Sequence, residues 1–215
     1  MPKQQQTRQA RAERTKRNII AAAAELFAER GFDAVTMREI AGRAGCSHTA
    51  IYLYFTDKET LLHHISMPPL EELRERLGGI LGQDIPSAEQ VKGICMAWIR
   101  FCLSNRNMYE VFFSAGAVRV DEKEPRLVLN RVRNELFGML MRALRGCLPS
   151  GTSEERLLEC ARITYYMAHG IVGTYRHSPE SPDELMARLG PTFHGAFRAL
   201  LAGFGAIIEE GGNGR

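Results

Sequence analysis

An all-α fold of about nine helices is predicted by three features of the chain. Strand signals are nearly absent. Gly- and Pro-marked breaks separate segments whose apolar residues recur three and four apart, the helical period. Five helix starts carry a Ser or Thr followed three residues later by Glu or Gln, the capping-box pattern: Thr36–Glu39, Thr56–Glu59, Ser87–Gln90, Thr152–Glu155 and Ser181–Glu184.

Taken in order, the first helix is expected from Thr7 to Glu29, with Ile19, Ile20, Ala23, Leu26 and Phe27 inward and Gly31 as its stop. Phe32 and Val35 lead into a second helix capped by Thr36, with Ile40, Ala41 and Ala44 as its apolar face. Gly45 suits the left-handed position that closes a helix, and Ser47 suits the cap of the next. That third helix is expected to run about nine residues, with Ile51 and Phe55 sharing one face. A fourth starts at Thr56 or Asp57 and carries Leu61, Leu62 and Ile65, until Pro68 and Pro69 break or kink it. A further segment follows from Leu70 to Leu81.

Helix five is expected from Ser87 to Ser104, with Val91, Ile94, Cys95, Trp98, Phe101 and Cys102 inward. Met108 to Ala115 is short and aromatic, and a charged loop from Asp121 to Pro125 precedes helix seven, which ends near Cys147. Helix eight spans Thr152 to about Arg176. The last helix follows Pro182, bends near Gly190-Pro191 and reaches Glu210. Its stripe of Phe193, Phe197, Leu200, Leu201, Phe204, Ile207 and Ile208 is long for a monomer and points to a self-association surface. Gly211 to Arg215 reads as a frayed tail.

The net charge of +3 is unevenly placed: residues 1–60 hold ten Lys/Arg against seven Asp/Glu, and the rest holds eighteen of each. Lys3, Arg8, Arg11, Arg14, Lys16 and Arg17 form a basic N-terminal arm suited to an anionic polymer. No apolar run approaches the roughly 20 residues of a membrane span, and the start lacks a signal peptide's apolar stretch. A cytoplasmic protein without membrane contact is expected. Five widely spaced cysteines offer no zinc pattern and read as free thiols, so no metal and no cofactor is expected.

Residues 36–55 therefore have helix-turn-helix grammar. Residues 10–65 resemble the DNA-binding domain of the tetracycline-repressor (TetR) family of bacterial transcriptional regulators. The resemblance rests on an ordered series: Leu26-Phe27-Ala28-Glu29-Arg30-Gly31-Phe32, Thr36, Ile40-Ala41, Ala44-Gly45, Ser47, Ile51-Tyr52, Phe55, Lys58-Glu59 and Leu61-Leu62. Cys46, Thr49-Ala50 and Leu53 depart from the family's usual residues, and Ala50 lacks the hydroxyl that often meets phosphate in relatives. Trp98 to Phe101, Asn107 to Tyr109, Val111 to Phe113 and Met167-Ala168-His169-Gly170 resemble the family's Trp-His-Gly class of ligand domain, with Ala168 in place of the tryptophan.

The resemblance implies a DNA-binding domain over residues 1–66 and an effector-binding and dimerisation domain over 67–215. Base reading falls to His48 and Thr49, and Arg38 is expected to meet a base or a phosphate, its guanidinium able to donate in pairs to guanine. Ser47, Tyr52, Tyr54 and Lys58 are expected phosphate contacts, and Leu53 an apolar contact to a thymine methyl. An effector cavity is expected among Trp98, Phe101, Tyr109, Phe112, Phe113, Phe137, Met139, Met167 and His169. The partners implied are a palindromic double-stranded operator, a second copy through the last two helices, and a small, largely apolar effector. The function expected is a homodimeric repressor released by that ligand. Two other readings stay open: a DNA-binding protein of this fold without an effector, and an α-helical enzyme acting on an apolar substrate. The second has no catalytic triad, metal cluster, paired carboxylates or phosphate loop to support it.

Overall fold

The computed structural model describes residues 2–113 and 127–212. Within them the chain is all-α: nine α-helices, one 3-10 turn at Arg106–Met108, and no strand. They are α1 (Pro2–Arg30), α2 (Met37–Arg43), α3 (His48–Ile51), α4 (Lys58–Leu81), α5 (Ser87–Ser104), α6 (Tyr109–Phe113), α7 (Val128–Arg145), α8 (Glu154–Tyr175) and α9 (Pro182–Gly212). The charged loop from Asp121 to Pro125 and the end of the short aromatic segment at Ala115 lie outside the described residues. No described helix is long and apolar enough to cross a membrane.

The chain forms two compact units: Met1–Leu70 with Asn107–Arg131, and Glu71–Arg106 with Val132–Arg215. In the first, α1 packs on α2, α2 on α3, and α6 on α1. Its core holds Ile19, Ala23, Leu26, Phe27, Phe32, Val35, Ile40, Ala41, Ile51, Phe55, Leu61 and Leu62, each at most 8% exposed. In the second, α5 packs on both α8 and α9, which also meet each other. Val91, Ile94, Cys95, Trp98 and Cys102 are its buried α5 face, as their spacing predicts.

Several local expectations change. α1 begins at Pro2, so the basic arm is a helical extension, with Arg8, Arg11, Arg14 and Arg17 exposed. Two capping boxes form as read, at Thr36 and at Ser181. The other three do not. Asp57 rather than Thr56 accepts the Thr60 amide at 2.7 Å, because a carboxylate is the stronger acceptor. Ser153 rather than Thr152 caps α8, accepting from Arg156 at 3.2 Å. At α5 no side chain caps the start, and the Gln90 amide instead donates to the carbonyls of Leu81 and Gln83.

Pro68 and Pro69 do not end α4, which runs through them to Leu81 and absorbs the separate segment expected from Leu70. They cannot donate to the carbonyls of His64 and Ile65, so the ladder loses two rungs just before Leu70. α9 likewise passes through Pro191.

Candidate nucleic-acid interface and effector site

The reading head is set by its caps. The Thr36 hydroxyl accepts from the Glu39 amide at 3.3 Å, and the Glu39 carboxylate accepts the Thr36 amide at 2.8 Å. The other carboxylate oxygen takes Arg30 at 2.7 Å, pinning the start of α2 to the end of α1. α2 closes in a Schellman motif: Cys46 N–H donates to Ala41 at 3.0 Å and Gly45 N–H to Gly42 at 3.3 Å. Gly45 sits at φ 71°, where a side chain would strain the backbone. The Ser47 hydroxyl then accepts the Ala50 amide at 3.1 Å and opens α3.

The Arg30 guanidinium, then the Thr36 hydroxyl, hold the Glu39 carboxyl down at about 2 from its ordinary 4.5. A carboxylate lowered on folding stabilises the fold above its unfolded value and loses that contribution as pH falls through the folded value. Acid unfolding of the reading head should therefore draw on Glu39 between pH 4.5 and about 2. Glu39→Gln is expected to flatten that limb in a circular-dichroism pH titration. An unchanged limb would remove Glu39 from the acid response.

α3 spans four residues, not the expected nine. After Tyr52 the chain tightens: Leu53 donates to Ala50 at 3.2 Å and Tyr54 to Ile51 at 3.0 Å, and Phe55 then enters the core. The cap of α4 follows at once at Asp57, leaving no room for further turns. Ile51 and Phe55 are buried anchors, at 0% and 1% exposure. The opposite face holds the anticipated readers. Arg38, Ser47, His48 and Thr49 are exposed, Tyr52 is 46% exposed, Leu53 83%, and Tyr54 is half-buried. The His48 ring meets the Tyr52 ring edge-on at 5.3 Å, so two expected readers form one unit.

Lys58, expected at a phosphate, is engaged within the chain. Its ammonium donates to the carbonyls of Phe32 at 2.7 Å and Val35 at 3.0 Å, with a longer contact to Asp33 at 3.4 Å, and lies 4.4 Å from the Phe32 ring centre. All three protons are directed into the α1–α2 loop, where the backbone has no helical partners for those carbonyls. Within the chain Lys58 is a clamp on that loop.

In the second unit an aromatic cluster joins α5, α7 and α8. The Trp98 ring lies 4.5 Å from His169, His169 lies 4.0 Å from Tyr165, and Tyr165 lies 5.9 Å from Phe137. Burial holds His169 down at about 4, so the imidazole is neutral at pH 7. Phe101, one turn from Trp98, is half-buried.

The remaining expected lining residues go elsewhere. Tyr109, Phe112 and Phe113 belong to the first unit, where Phe113 lies 5.5 Å from Tyr109 and 6.5 Å from Phe112. Met139 lines a separate open cleft of about 570 Å³ with Arg74, Glu75, Glu135 and Arg142, because two residues along α7 turn it away from Phe137. Met167 is likewise two residues from both Tyr165 and His169, on the far side of α8.

Residues 19–65 match the family model described as bacterial regulatory proteins of the tetR family, and residues 91–193 match the tetracyclin repressor-like C-terminal domain. The chain belongs to the TetR family. It is 24% identical over 141 residues to the fatty acid metabolism regulator protein of Bacillus subtilis, covering 66% of this chain and 70% of that protein. It is 29% identical over 104 residues to the transcriptional repressor KstR2 of Mycolicibacterium smegmatis, covering 48% of this chain and 50% of that protein. The fold is also that of the ketosteroid transcriptional regulator KstR2 of Mycobacterium tuberculosis, with a TM-score of 0.65 at 19% identity over 84% of this chain and 93% of the other. The protein is thus a DNA-binding transcriptional regulator and not an enzyme.

TetR-family regulators bind DNA operators, dimerise and bind small-molecule effectors. Of the α9 stripe expected to self-associate, three residues turn inward and Leu200, Leu201 and Ile208 are half-buried. Phe193, Phe197 and Phe204 are buried within the chain at 3%, 0% and 1% exposure, and Phe193 meets Tyr175 at 5.8 Å. α9 packs on α5 and α8. The outward face is small instead: Gly170, Gly173 and Thr174 on α8, and Thr192, Ala199, Ala202 and Gly203 on α9, are exposed, with Tyr166 at 64%. A Cβ at Gly170, Gly173, Gly195 or Gly203 would meet nothing within 4 Å.

Two residues absent from the sequence reading stand out. Tyr165 links three rings of the cluster. Arg133, 6% exposed, occupies the centre of the α7 stripe of Leu129, Val132, Leu136 and Phe137. That spacing was a usable signal: a cation at a core position of an amphipathic helix faces inward.

Proposed function

We propose that this TetR-family protein is a homodimeric repressor whose operator is read by Arg38, His48 and Thr49. Ser47, Tyr52 and Tyr54 hold the phosphates, Leu53 meets a thymine methyl, and the basic face of α1 adds phosphate contacts. The observation that carries the reading is the division of α3 and its following turn: Ile51 and Phe55 are buried while His48, Thr49, Tyr52 and Leu53 are exposed together. A helix end anchored from beneath with polar and aromatic groups outward suits a major groove about 12 Å wide.

Two copies meet through the small-residue faces of α8 and α9, which permits the close helix approach that larger side chains prevent. Residues 1–66 read DNA, and residues 67–215 bind the effector and dimerise. The effector enters at Trp98, Phe137, Tyr165 and His169. One relative regulates fatty acid metabolism and another is a ketosteroid regulator, which supports an effector with an apolar body. α4 carries the response, since its chain passes from one compact unit into the other at Leu70, directly after the rungs lost at Pro68 and Pro69. Release requires the ligand to prefer the non-binding state by about 5.5 kcal/mol to shift the dimer from 99% to 1% bound.

A gel shift on the intergenic DNA beside the protein's own gene tests this, with release by added metabolites separating it from an effector-free regulator. Two substitutions resolve the reading face. Tyr52→Phe should weaken binding to operator and random DNA alike, whereas His48→Ala should relax discrimination at one base position by about 1–3 kcal/mol. Equal loss on both DNAs for His48→Ala would remove it from the base readers.

A further inference from the structure

We propose a second ligand site, separate from the effector site above, that takes an aromatic carboxylate: its ring lies over Ala97 and Gly190 between the Met96 and Met186 thioethers, and its anion meets the Arg76 and Arg100 guanidinium groups. These residues line a cleft of about 610 Å³, a size that suits a small molecule. Three helices of the second compact unit supply them, each through a stripe in helical phase. On α5 the stripe is Gly93, Met96, Ala97 and Arg100, and on α4 it is Arg76 and Ile80. On α9 it runs from Asp183 through Met186 and Gly190 to His194. Ala97 and Gly190 are buried and form the floor, Met96 and Met186 are half-buried walls, and Arg76 stands exposed at the rim.

Three residues that weaken helices meet at this cleft. Gly93 lies inside α5, and Gly190 and Pro191 lie inside α9. Glycine gives up backbone entropy in a helix, and Pro191 cannot donate to the Ala187 carbonyl, whose residue also lines the cleft. A Cβ at Gly93 would come to 3.2 Å from Ile80, and one at Gly190 to 3.9 Å from Met96, so larger side chains there would crowd the walls. Local helix rules broken together around one concavity are the mark of a site.

The charges select an anion. Arg100 donates to the Asp183 carboxylate through one guanidinium nitrogen. Arg76 makes no hydrogen bond or ion pair among the described residues. Two guanidinium groups therefore line the cleft against one carboxylate. A guanidinium pairs with a carboxylate through parallel hydrogen bonds and gains nothing comparable from an ester. Thioether sulfur makes favourable contacts with aromatic rings, which selects a planar ring over a saturated body.

The test is an NMR titration of the full-length protein with isotope-labelled methionine methyl groups, Met96 and Met186 being assigned by Met96→Leu and Met186→Leu. The titrants are 2-naphthoate, its methyl ester and its ring-saturated decahydro counterpart. The aromatic acid is expected to shift both methyl signals saturably, the ester to bind at least roughly tenfold more weakly, and the saturated acid more weakly than the aromatic one. Arg76→Gln should lower the affinity for 2-naphthoate roughly tenfold, and Gly190→Leu should abolish binding by filling the cleft. Shifts confined to other methionines, equal affinity of acid and ester, or an affinity unaltered by Arg76→Gln overturns the proposal. Equal affinity of the saturated acid overturns its aromatic part, and no saturable shift at millimolar ligand overturns the whole. The comparison of titrants in the unmodified protein stands even where Gly190→Leu fails to fold.

Discussion

Gly195→Glu combined with Ala199→Glu is expected to make the protein monomeric and to reduce operator affinity by roughly a hundredfold or more, through loss of simultaneous engagement of two half-sites. Each subunit should keep its fold. The space beside Gly195 is open, Ala199 is exposed, and glutamate is a better helix former than glycine. The damage falls on the dimer alone: two carboxylates per subunit would face their copies across a close-packed small-residue surface, desolvated and like-charged. Sedimentation and a gel shift read the two effects, and circular dichroism checks the fold. A dimer that persists with both substitutions would move the interface off this face of α9.

Lys58→Met should destabilise the reading head by about 2–3 kcal/mol, since hydrogen bonds to a charged group are lost and half-buried carbonyls are left without a donor. The acceptors are Phe32 and Val35, and the contact with the Phe32 ring goes as well. Methionine keeps most of the stem's apolar packing, so the loss reports on the ammonium. Denaturant unfolding gives the size of the effect. The salt dependence of operator binding gives its kind: a clamp leaves the slope unchanged, whereas a lost phosphate contact lowers it by about one. A lower slope with unchanged stability would restore Lys58 to the DNA interface.

The legible parts of this chain were those fixed by local chemistry. Thr36, Glu39, Gly45 and Ser47 announce their caps because each satisfies backbone groups within a few residues, and the helix-turn-helix followed from them. The α5 stripe was legible because its period is regular from Val91 to Cys102. What escaped depended on competition or on distant partners. Asp57 outbids Thr56, and Ser153 outbids Thr152, for the same kind of amide, and spacing alone does not rank neighbouring caps. Lys58 looked like a surface cation because its acceptors lie more than twenty residues earlier, in the loop after α1. The α9 stripe was legible as apolar, yet its partner, the chain's own α5 and α8 or a second copy, is a tertiary fact. The prolines of α4 lack donors, yet the helix continues through them, with Leu61 and Leu62 buried before them and Leu73 and Leu77 after. At the effector site, Trp98, Phe137 and His169 share one ring cluster through Tyr165, whereas Met139 and Met167 are apolar in type but out of helical phase with it.

The most direct test is selection of bound sequences from a random DNA library by the full-length protein, followed by footprinting of the enriched site. The expected site has two-fold symmetry, with half-site centres about 34–36 Å apart, one DNA turn, and Arg38→Ala and His48→Ala each change the preferred base at symmetry-related positions. Enrichment of a single asymmetric half-site, or a preference unaltered by both substitutions, would contradict the account.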